Sequence, residues 1–116
     1  MLSAQDTIRV MQYNILFYGL NDNGCSNSTA AMAAQDAAFK KIIKSTNPDI
    51  LAINEMANNV VYAQRILQNV LNTDGVSSYR RGEYTNTAGS QIVNMLFYNS
   101  DIFAIHSEEV INGNIR

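Results

Sequence analysis

The chain has 116 residues but only one cysteine, one histidine and one proline. A single cysteine, Cys25, excludes an intrachain disulfide and a cysteine-based zinc site. It lies among Asn, Gly and Ser residues, and we interpret it as a surface thiol rather than a reactive one, which would need a nearby base. The apolar stretches, such as residues 50–53, are far shorter than the roughly 20 residues that cross a bilayer. We therefore expect no membrane span.

Charge is also sparse. The formal net charge is −2 and the isoelectric point is about 5.1, so the chain as a whole offers no basic field for a nucleic-acid backbone. Any nucleic-acid contact must be local. The hydrophobic content of 47% is ordinary for a globular protein, and the length suits one small domain or part of a larger one.

The first residues have two open interpretations. Small residues in Met1–Gln5 precede the first apolar run, as in the tail of a clipped signal peptide, but the charged and apolar regions of such a peptide are absent. A plain leader over residues 1–6 is the alternative. The remnant interpretation favours a secreted or periplasmic protein.

A strand–helix–strand unit is predicted in the first half of the chain. Residues 8–17 are apolar on both alternating faces, as in a strand buried on two sides. Residues 19–28 form a loop rich in Gly, Asn, Asp and Ser. Residues 29–45 have helical spacing and end before Pro48. The short apolar run 49–54 predicts the second strand.

A second helix and a hairpin are predicted next. Asn58 or Asn59 caps a helix that runs to about Asn72 and is ended by Asp74-Gly75. Its predicted apolar stripe consists of Val60, Ala63, Leu67, Val70 and Leu71. Residues 79–85 and 92–98, joined by a turn at 86–89, read as a β-hairpin. A further strand is predicted over residues 102–111.

Two polar residues are expected at one edge of this sheet. In a right-handed strand–helix–strand unit the two strands are parallel, and ligand sites form where such strands end. Asn14 lies late in the first strand and Glu55 directly after the second, so both side chains can reach one pocket. Mg²⁺ prefers oxygen ligands and commonly uses one or two protein carboxylates. The alternative is that Glu55 is a solvated side chain and Asn14 only bonds a neighbouring backbone group.

Three passages carry a resemblance to a known family. They are IRVMQYNILFYG, NPDILAINEM and GSQIVNMLFYNSDIF, and their order and spacing are similar to those of the endonuclease/exonuclease/phosphatase family, which includes deoxyribonuclease I, abasic-site endonucleases and sphingomyelinases. The resemblance implies an α/β (α+β) fold, the first half of a four-layer α/β/β/α sandwich of the deoxyribonuclease I type, with two helices on one face of a mixed sheet. Residues 7–116 would form this partial domain, and the C-terminal half would be its partner.

The resemblance also implies roles for three residues. Asn14 would be the strand-one asparagine that helps set the phosphate and a metal-bound water, and Glu55 would bind Mg²⁺ or Mn²⁺. Tyr84 lies where some members have a phosphate-contacting tyrosine, although a packing tyrosine is the alternative. The implied activity is metal-dependent phosphoester hydrolysis, with a nucleic acid, a phospholipid or a sugar phosphate as substrate.

The chain departs from the family at several positions. Asn54 replaces the usual glutamine before the metal-binding glutamate, and Ala57 stands where some nucleases have a DNA-contacting basic residue. The family's Asp-x-Asn and Asp-His pairs have no counterpart, and His106 does not match its histidine motifs. We therefore expect no meaningful turnover from this polypeptide alone, because a general base and other electrostatic groups each contribute about 100-fold or more.

Two other classes of function remain. The chain could be a non-catalytic α/β binding module or a degenerate remnant in which Asn14 and Glu55 are incidental. A Rossmann-like nucleotide-binding half is unsupported, because the loop after the first strand has no G-x-G-x-x-G pattern.

Overall fold

Four strands and two helices make up the part of the chain that the computed structural model describes, residues 7–86 and 89–109. In chain order they are β1 (Val10–Tyr18), α1 (Thr29–Thr46), β2 (Ile50–Ala57), α2 (Val60–Ile66, continued by a π-helical turn, Leu67–Leu71), β3 (Tyr79–Arg81) and β4 (Ile92–Asn99). The proposed leader, residues 1–6, lies outside the described residues. So do two residues of the expected hairpin turn, 87 and 88.

The strands form one mixed sheet in the order β1-β2-β4-β3. β1 and β2 are parallel, with Val10 opposite Ile50, and α1 connects them as the predicted strand–helix–strand unit requires. β4 is antiparallel to both β2 and β3. The predicted mixed sheet with two helices is therefore confirmed, and β1 and β3 are its edge strands.

Helix α1 has a cap at each end. The Ser28 hydroxyl accepts a hydrogen bond from the Ala31 N–H at 3.2 Å, which satisfies one of the free donors of the first turn. Asn47 ends the helix in the left-handed conformation, with φ of 46°, and its N–H donates to the Ile43 carbonyl at 2.7 Å. Pro48 follows and prevents a further helical turn. The helix predicted over residues 29–45 is confirmed to within one residue.

Helix α2 begins at its predicted cap but ends differently. The Asn59 side chain accepts from the Val61 N–H at 3.0 Å. The last turn is π-helical, with the Asn72 N–H donating to the Leu67 carbonyl at 2.8 Å. The Asn72 side chain then pairs with both backbone groups of Tyr79, at 3.0 Å each. This amide joins the end of the helix to β3.

Two details of the predicted α2 stripe, the end of the first hairpin strand and the strand predicted after β4 are wrong. Val60 is exposed at the first helical residue, whereas Ile66, absent from the predicted stripe, is fully buried. β3 ends at Arg81, because the Glu83 N–H donates to the Glu108 carboxylate instead of to a strand carbonyl. Glu108, the acceptor in this contact, lies in the segment 102–111 where a further strand is predicted. Residues 102–109 contain no strand, and 110–111 lie outside the described residues.

One face of the sheet carries the core. Buried residues of both helices, including Phe39 and Ile66, pack in a single cluster with inward strand residues such as Leu51. The opposite face presents apolar side chains to solvent: Val10 is 69% exposed and Leu96 is 42% exposed. No helix in the described ranges is both long and apolar enough to traverse a bilayer.

A buried polar network ties the end of β1 to both helices. Asp36 of α1 is 6% exposed and accepts from the Tyr18 hydroxyl at 2.5 Å. Its other oxygen accepts from the Arg65 guanidinium at 2.8 Å and from the Asn69 amide at 3.2 Å. Sequence analysis does not predict this network, because Tyr18, Asp36 and the pair Arg65 and Asn69 are distant in the chain. The network holds the last residue of β1, Tyr18, four positions after Asn14 in the sequence.

Because of this network, the free energy of unfolding should decrease as pH rises above the ordinary pKa of tyrosine, about 10. Burial, followed by the hydrogen bond to Asp36, raises the pKa of Tyr18 above its ordinary value of about 10. Because the folded pKa is the higher one, the contribution is complete below pH 10 and is lost as pH rises towards the folded pKa. We expect Tyr18→Phe to lower the unfolding free energy by about 1–2 kcal/mol at pH 7. Above pH 10, the wild type should lose about 1.4 kcal/mol per pH unit more than the variant.

Urea unfolding at a series of pH values measures both effects. Equal slopes for wild type and variant above pH 10 would show that Tyr18 ionises as freely in the folded state as in the unfolded chain.

Gly19 is required where β1 meets α2. Its φ is +92°, and a Cβ there would lie 2.7 Å from the Tyr62 ring. We expect Gly19→Ala to lower the unfolding free energy by about 2–3 kcal/mol, from backbone strain and overpacking together. Gly24→Ala is the matched control, because Gly24 has φ of +80° but open space around it. The control should lose only about 1 kcal/mol in urea unfolding, and equal losses would contradict the Tyr62 contact.

Candidate functional site

The parallel pairing of β1 and β2 brings the two predicted site residues together. Asn14 is the register partner of Asn54, and Glu55 is the next residue of β2. Asn14 and Glu55 are 41 positions apart in the sequence (55 − 14 = 41), and one strand–helix–strand unit spans this separation. Glu55 lies within β2 rather than after it as predicted, because β2 continues to Ala57.

Both strands are irregular directly beyond this pair. The register between β1 and β2 passes from Asn14–Asn54 to Tyr18–Met56, so β1 has two more residues than β2 over this interval. Leu16 and Phe17 have positive φ angles of 47° and 57°. Glu55 has φ of 64° at the irregularity between β2 and β4. Positive φ is uncommon for these residue types, and such backbone strain concentrates at functional sites.

The bulge in β2 frees Glu55 from the alternation of a regular strand. Ile53 and Met56 both pack in the core, 2% and 0% exposed, with two residues between them. A regular strand would alternate every residue and would place Glu55 on the core face with Ile53. The extra residue removes that requirement for the carboxylate, as bulges near active sites commonly do when they redirect a side chain.

Two oxygen atoms at the bulge are buried without hydrogen-bond partners among the described residues. They are Asn54 Oδ1 and Glu55 Oε2. Such atoms are rare in folded proteins, because desolvation without a partner costs about 1–3 kcal/mol or more. Asn54 and Glu55 are consecutive residues of β2, and each carries one buried oxygen whose capacity to accept a hydrogen bond is unused among the described residues.

Asn14 is held in a defined orientation. Its Oδ1 accepts from the Leu16 N–H at 2.8 Å, which is a local turn contact. The residue is exposed. With the oxygen engaged, the Nδ2 group is the donor that Asn14 can offer to a ligand.

The amide oxygen of Asn54 and a carboxylate oxygen of Glu55 are the unpaired acceptors at this bulge among the described residues. Carboxylate and amide oxygens suit Mg²⁺, which usually retains several waters and binds through one or two carboxylates plus substrate oxygens. Over residues 7–86 and 89–109 there is no group of three or more His, Cys, Asp or Glu side chains that could enclose a metal.

The other residues singled out in the sequence have separate surroundings. Tyr84 follows β3 and packs, partly buried, against the core, as the packing interpretation expects. His106 is exposed in a segment without regular structure. Cys25 is half-buried, and its thiol donates to the Leu16 carbonyl at 3.4 Å.

Asn54 is the site residue that the sequence reading undervalued. From the sequence it is only a shorter replacement for the family's glutamine, whereas in the structure it carries one of the two unpaired buried oxygens among the described residues. Its position directly before Glu55 in the sequence was the feature that could have marked it as a site residue.

An apolar cavity of about 260 Å³, bordered by Asn14, Tyr13 and Phe39, opens between β1 and α1.

Comparisons with known proteins found no family model, no curated protein and no solved structure that matches this chain.

Proposed function

We propose that this chain carries the metal-binding part of a Mg²⁺-dependent phosphoester hydrolase of the endonuclease/exonuclease/phosphatase type. The observation that carries the proposal is the pair of unpaired oxygens, Asn54 Oδ1 and Glu55 Oε2, at a strained bulge in register with Asn14. Strain and missing hydrogen bonds both oppose folding, so their coincidence at one point favours a ligand that compensates for them.

Each residue has a distinct role in this proposal. The Glu55 carboxylate would hold the cation, and the Asn54 oxygen would accept a hydrogen bond from its hydration shell. Asn14 donates from Nδ2 to a phosphoryl oxygen of the substrate. A bound Mg²⁺ would supply Lewis-acid polarisation of the phosphoryl group and neutralise charge that develops on it.

The proposal includes a second half of the domain. The sequence has no Asp-x-Asn or Asp-His pair to take a proton from the attacking water. The sheet face opposite the helices also exposes Val10 and Leu96, as a sheet does when it lacks its second layer. These observations support the first half of a deoxyribonuclease I-like sandwich whose C-terminal half supplies the base.

Calorimetric titration with Mn²⁺, in the presence and absence of inorganic phosphate, tests the function class. We expect weak binding, with Kd on the order of 10⁻⁴–10⁻³ M for so few protein ligands. Inorganic phosphate should tighten Mn²⁺ binding, because both ligands share one site and their coupling is reciprocal.

A non-catalytic binding module predicts a different result. It should show no Mn²⁺ binding, or binding that inorganic phosphate leaves unchanged. Either outcome would contradict the proposed hydrolase site.

A further inference from the structure

None of the roles assigned above uses the apolar cavity between β1 and α1. Tyr13 lines it from β1 and Phe39 from α1, and Phe39 belongs to the core cluster. The cavity therefore lies on the helix side of the sheet and not on the exposed face opposite. Its volume of about 260 Å³ exceeds the roughly 150 Å³ of an apolar protein cavity that holds benzene. One small organic ring can fit inside.

Two stacked aromatic rings form one wall of the cavity. The ring centroids of Tyr13 and Phe39 are 5.3 Å apart, and the ring planes differ by 16°. Packing holds both rings, because Tyr13 lies in the regular part of β1, opposite Ile53 of β2, and Phe39 is 4% exposed. Aromatic rings favour offset-stacked or edge-to-face neighbours at centroid distances of about 4.5–7 Å. This wall therefore favours a planar aromatic ligand.

The rest of the apolar lining comes from the β1 bulge and from α1. Ile15 and Leu16 line the cavity from the bulge, and Ala38 lines it from the helix. Leu16 is 62% exposed and has φ of 47°, so a large apolar side chain meets water at a strained backbone position. A bound ring would remove part of this apolar surface from water, which is favourable. Ala38 has the shortest side chain of the lining, so this position controls the space available to a ligand.

The polar groups of the lining carry no formal charge. No Asp, Glu, Lys, Arg or His residue lines the cavity within the described part of the chain, so a charged ligand would lose hydration without gaining an ion partner. Gln35 lines it from α1, and its Nε2 group donates to the Ser26 carbonyl at 3.4 Å. The Gln35 Oε1 atom is left as an acceptor without a donor among the described residues. An uncharged ring with one donor complements this lining.

We propose that this cavity binds a small, uncharged aromatic molecule with one hydrogen-bond donor, of the phenol class. The ring packs against the Tyr13–Phe39 pair, and its hydroxyl donates to Gln35 Oε1. This inference goes beyond the proposed function and does not depend on it, because binding of the ring needs neither a cation nor a phosphate group.

Amide NMR titration of the metal-free chain with four probes tests the chemistry of the ligand. Phenol should bind with Kd on the order of 10⁻³ M, the affinity expected for so few heavy atoms, and shift the signals of Tyr13, Ile15, Gln35 and Phe39. Toluene lacks the donor and should bind about three- to tenfold more weakly. Cyclohexanol keeps the donor without a planar ring and should also bind at least about threefold more weakly. Benzoate, which is charged, should produce no shifts at the cavity.

A pair of alanine substitutions on α1 tests the location. Ala38→Met places a longer side chain in the cavity and should weaken phenol binding at least about tenfold, because the ligand and the side chain compete for the same space. Methionine is a good helix former and Ala38 is exposed, so the fold should be retained. Ala37→Met is the matched control, since Ala37 is an exposed residue of the same helix that does not line the cavity. The control should bind phenol as the wild type does.

Gln35→Met tests the hydrogen bond separately from the apolar lining. Methionine keeps the approximate length of the side chain but has no amide acceptor. We expect phenol to bind this variant about three- to tenfold more weakly, as weakly as toluene, while the affinity for toluene stays unchanged.

Four outcomes would overturn the inference: no phenol shifts at the cavity, shifts with benzoate, cyclohexanol binding as tightly as phenol, or equal phenol affinities for Ala38→Met and Ala37→Met. Absence of phenol binding together with intact Mn²⁺ binding would remove this inference and leave the proposed hydrolase function. Phenol binding without Mn²⁺ binding would do the reverse.

Discussion

Replacing Asp36 with alanine is expected to lower the free energy of unfolding by about 3 kcal/mol. The carboxylate accepts from the Tyr18 hydroxyl, from Arg65 and from Asn69, and it is almost fully buried. Its removal leaves the Tyr18 hydroxyl without an acceptor in the core and Arg65 without its ion partner. Hydrogen bonds to a charged group contribute about 1.5–3 kcal/mol, and breaking a buried pair is more damaging than breaking an exposed one.

Two variants calibrate this loss in urea unfolding. Asp36→Asn keeps an acceptor for Tyr18 but removes the charge opposite Arg65, so we expect an intermediate loss of about 1–2 kcal/mol. Asp22→Ala, which removes an exposed carboxylate, should change stability by no more than about 0.5 kcal/mol. If Asp36→Ala resembled Asp22→Ala, the network would contribute nothing and the end of β1 would be held by apolar packing alone.

Replacing Glu55 with glutamine is expected to weaken Mn²⁺ binding at least about tenfold, which corresponds to about 1.4 kcal/mol. Glutamine keeps the size of the side chain but removes the only carboxylate at the bulge, and hard cations depend on charged oxygen ligands. Glu109→Gln is the matched control, since it removes an exposed carboxylate elsewhere. Equal Mn²⁺ affinities for Glu55→Gln and wild type in calorimetric titration would exclude Glu55 as the ligand.

The same position should show opposite effects on stability and binding. Glycine adopts positive φ without steric cost, so Glu55→Gly relieves strain of about 1–2 kcal/mol at φ of 64° but increases the entropy of the unfolded chain. We expect an unfolding free energy equal to that of the wild type or up to about 1 kcal/mol higher, with Mn²⁺ binding lost. A large destabilisation by Glu55→Gly would indicate a structural role for the side chain instead.

The regular elements were accessible from local sequence, because local physics determines them. The polar loop and the Ser28 cap precede a helix of uniform composition, and Pro48 marks its end. Apolar runs of strand length predicted β1, β2 and β4. The placement of Asn14 and Glu55 on neighbouring strands was predictable, because a right-handed strand–helix–strand unit makes its two strands parallel.

The irregular features were not accessible, because they depend on tertiary packing. The residue types at positions 54–56 do not predict a positive φ for Glu55. The bulge forms where β2 pairs with both β1 and β4, which local sequence does not reveal. The π-helical end of α2 likewise coincides with the pairing of Asn72 and Tyr79. The residues after β4 are of types that favour a strand, but the structure has no strand over 102–109. The Glu108 carboxylate accepts from the Glu83 N–H there instead of a backbone pairing.

The location of a bound cation is the most direct test of the account. In amide NMR spectra recorded with substoichiometric Mn²⁺, the paramagnetic ion broadens signals in proportion to their proximity. We expect the signals of Asn14, Asn54, Glu55 and Met56 to disappear first, and this selectivity to vanish in Glu55→Gln. Broadening centred on Glu83, Glu108 and Glu109, or spread evenly over the exposed acidic residues, would contradict a cation site at the β2 bulge.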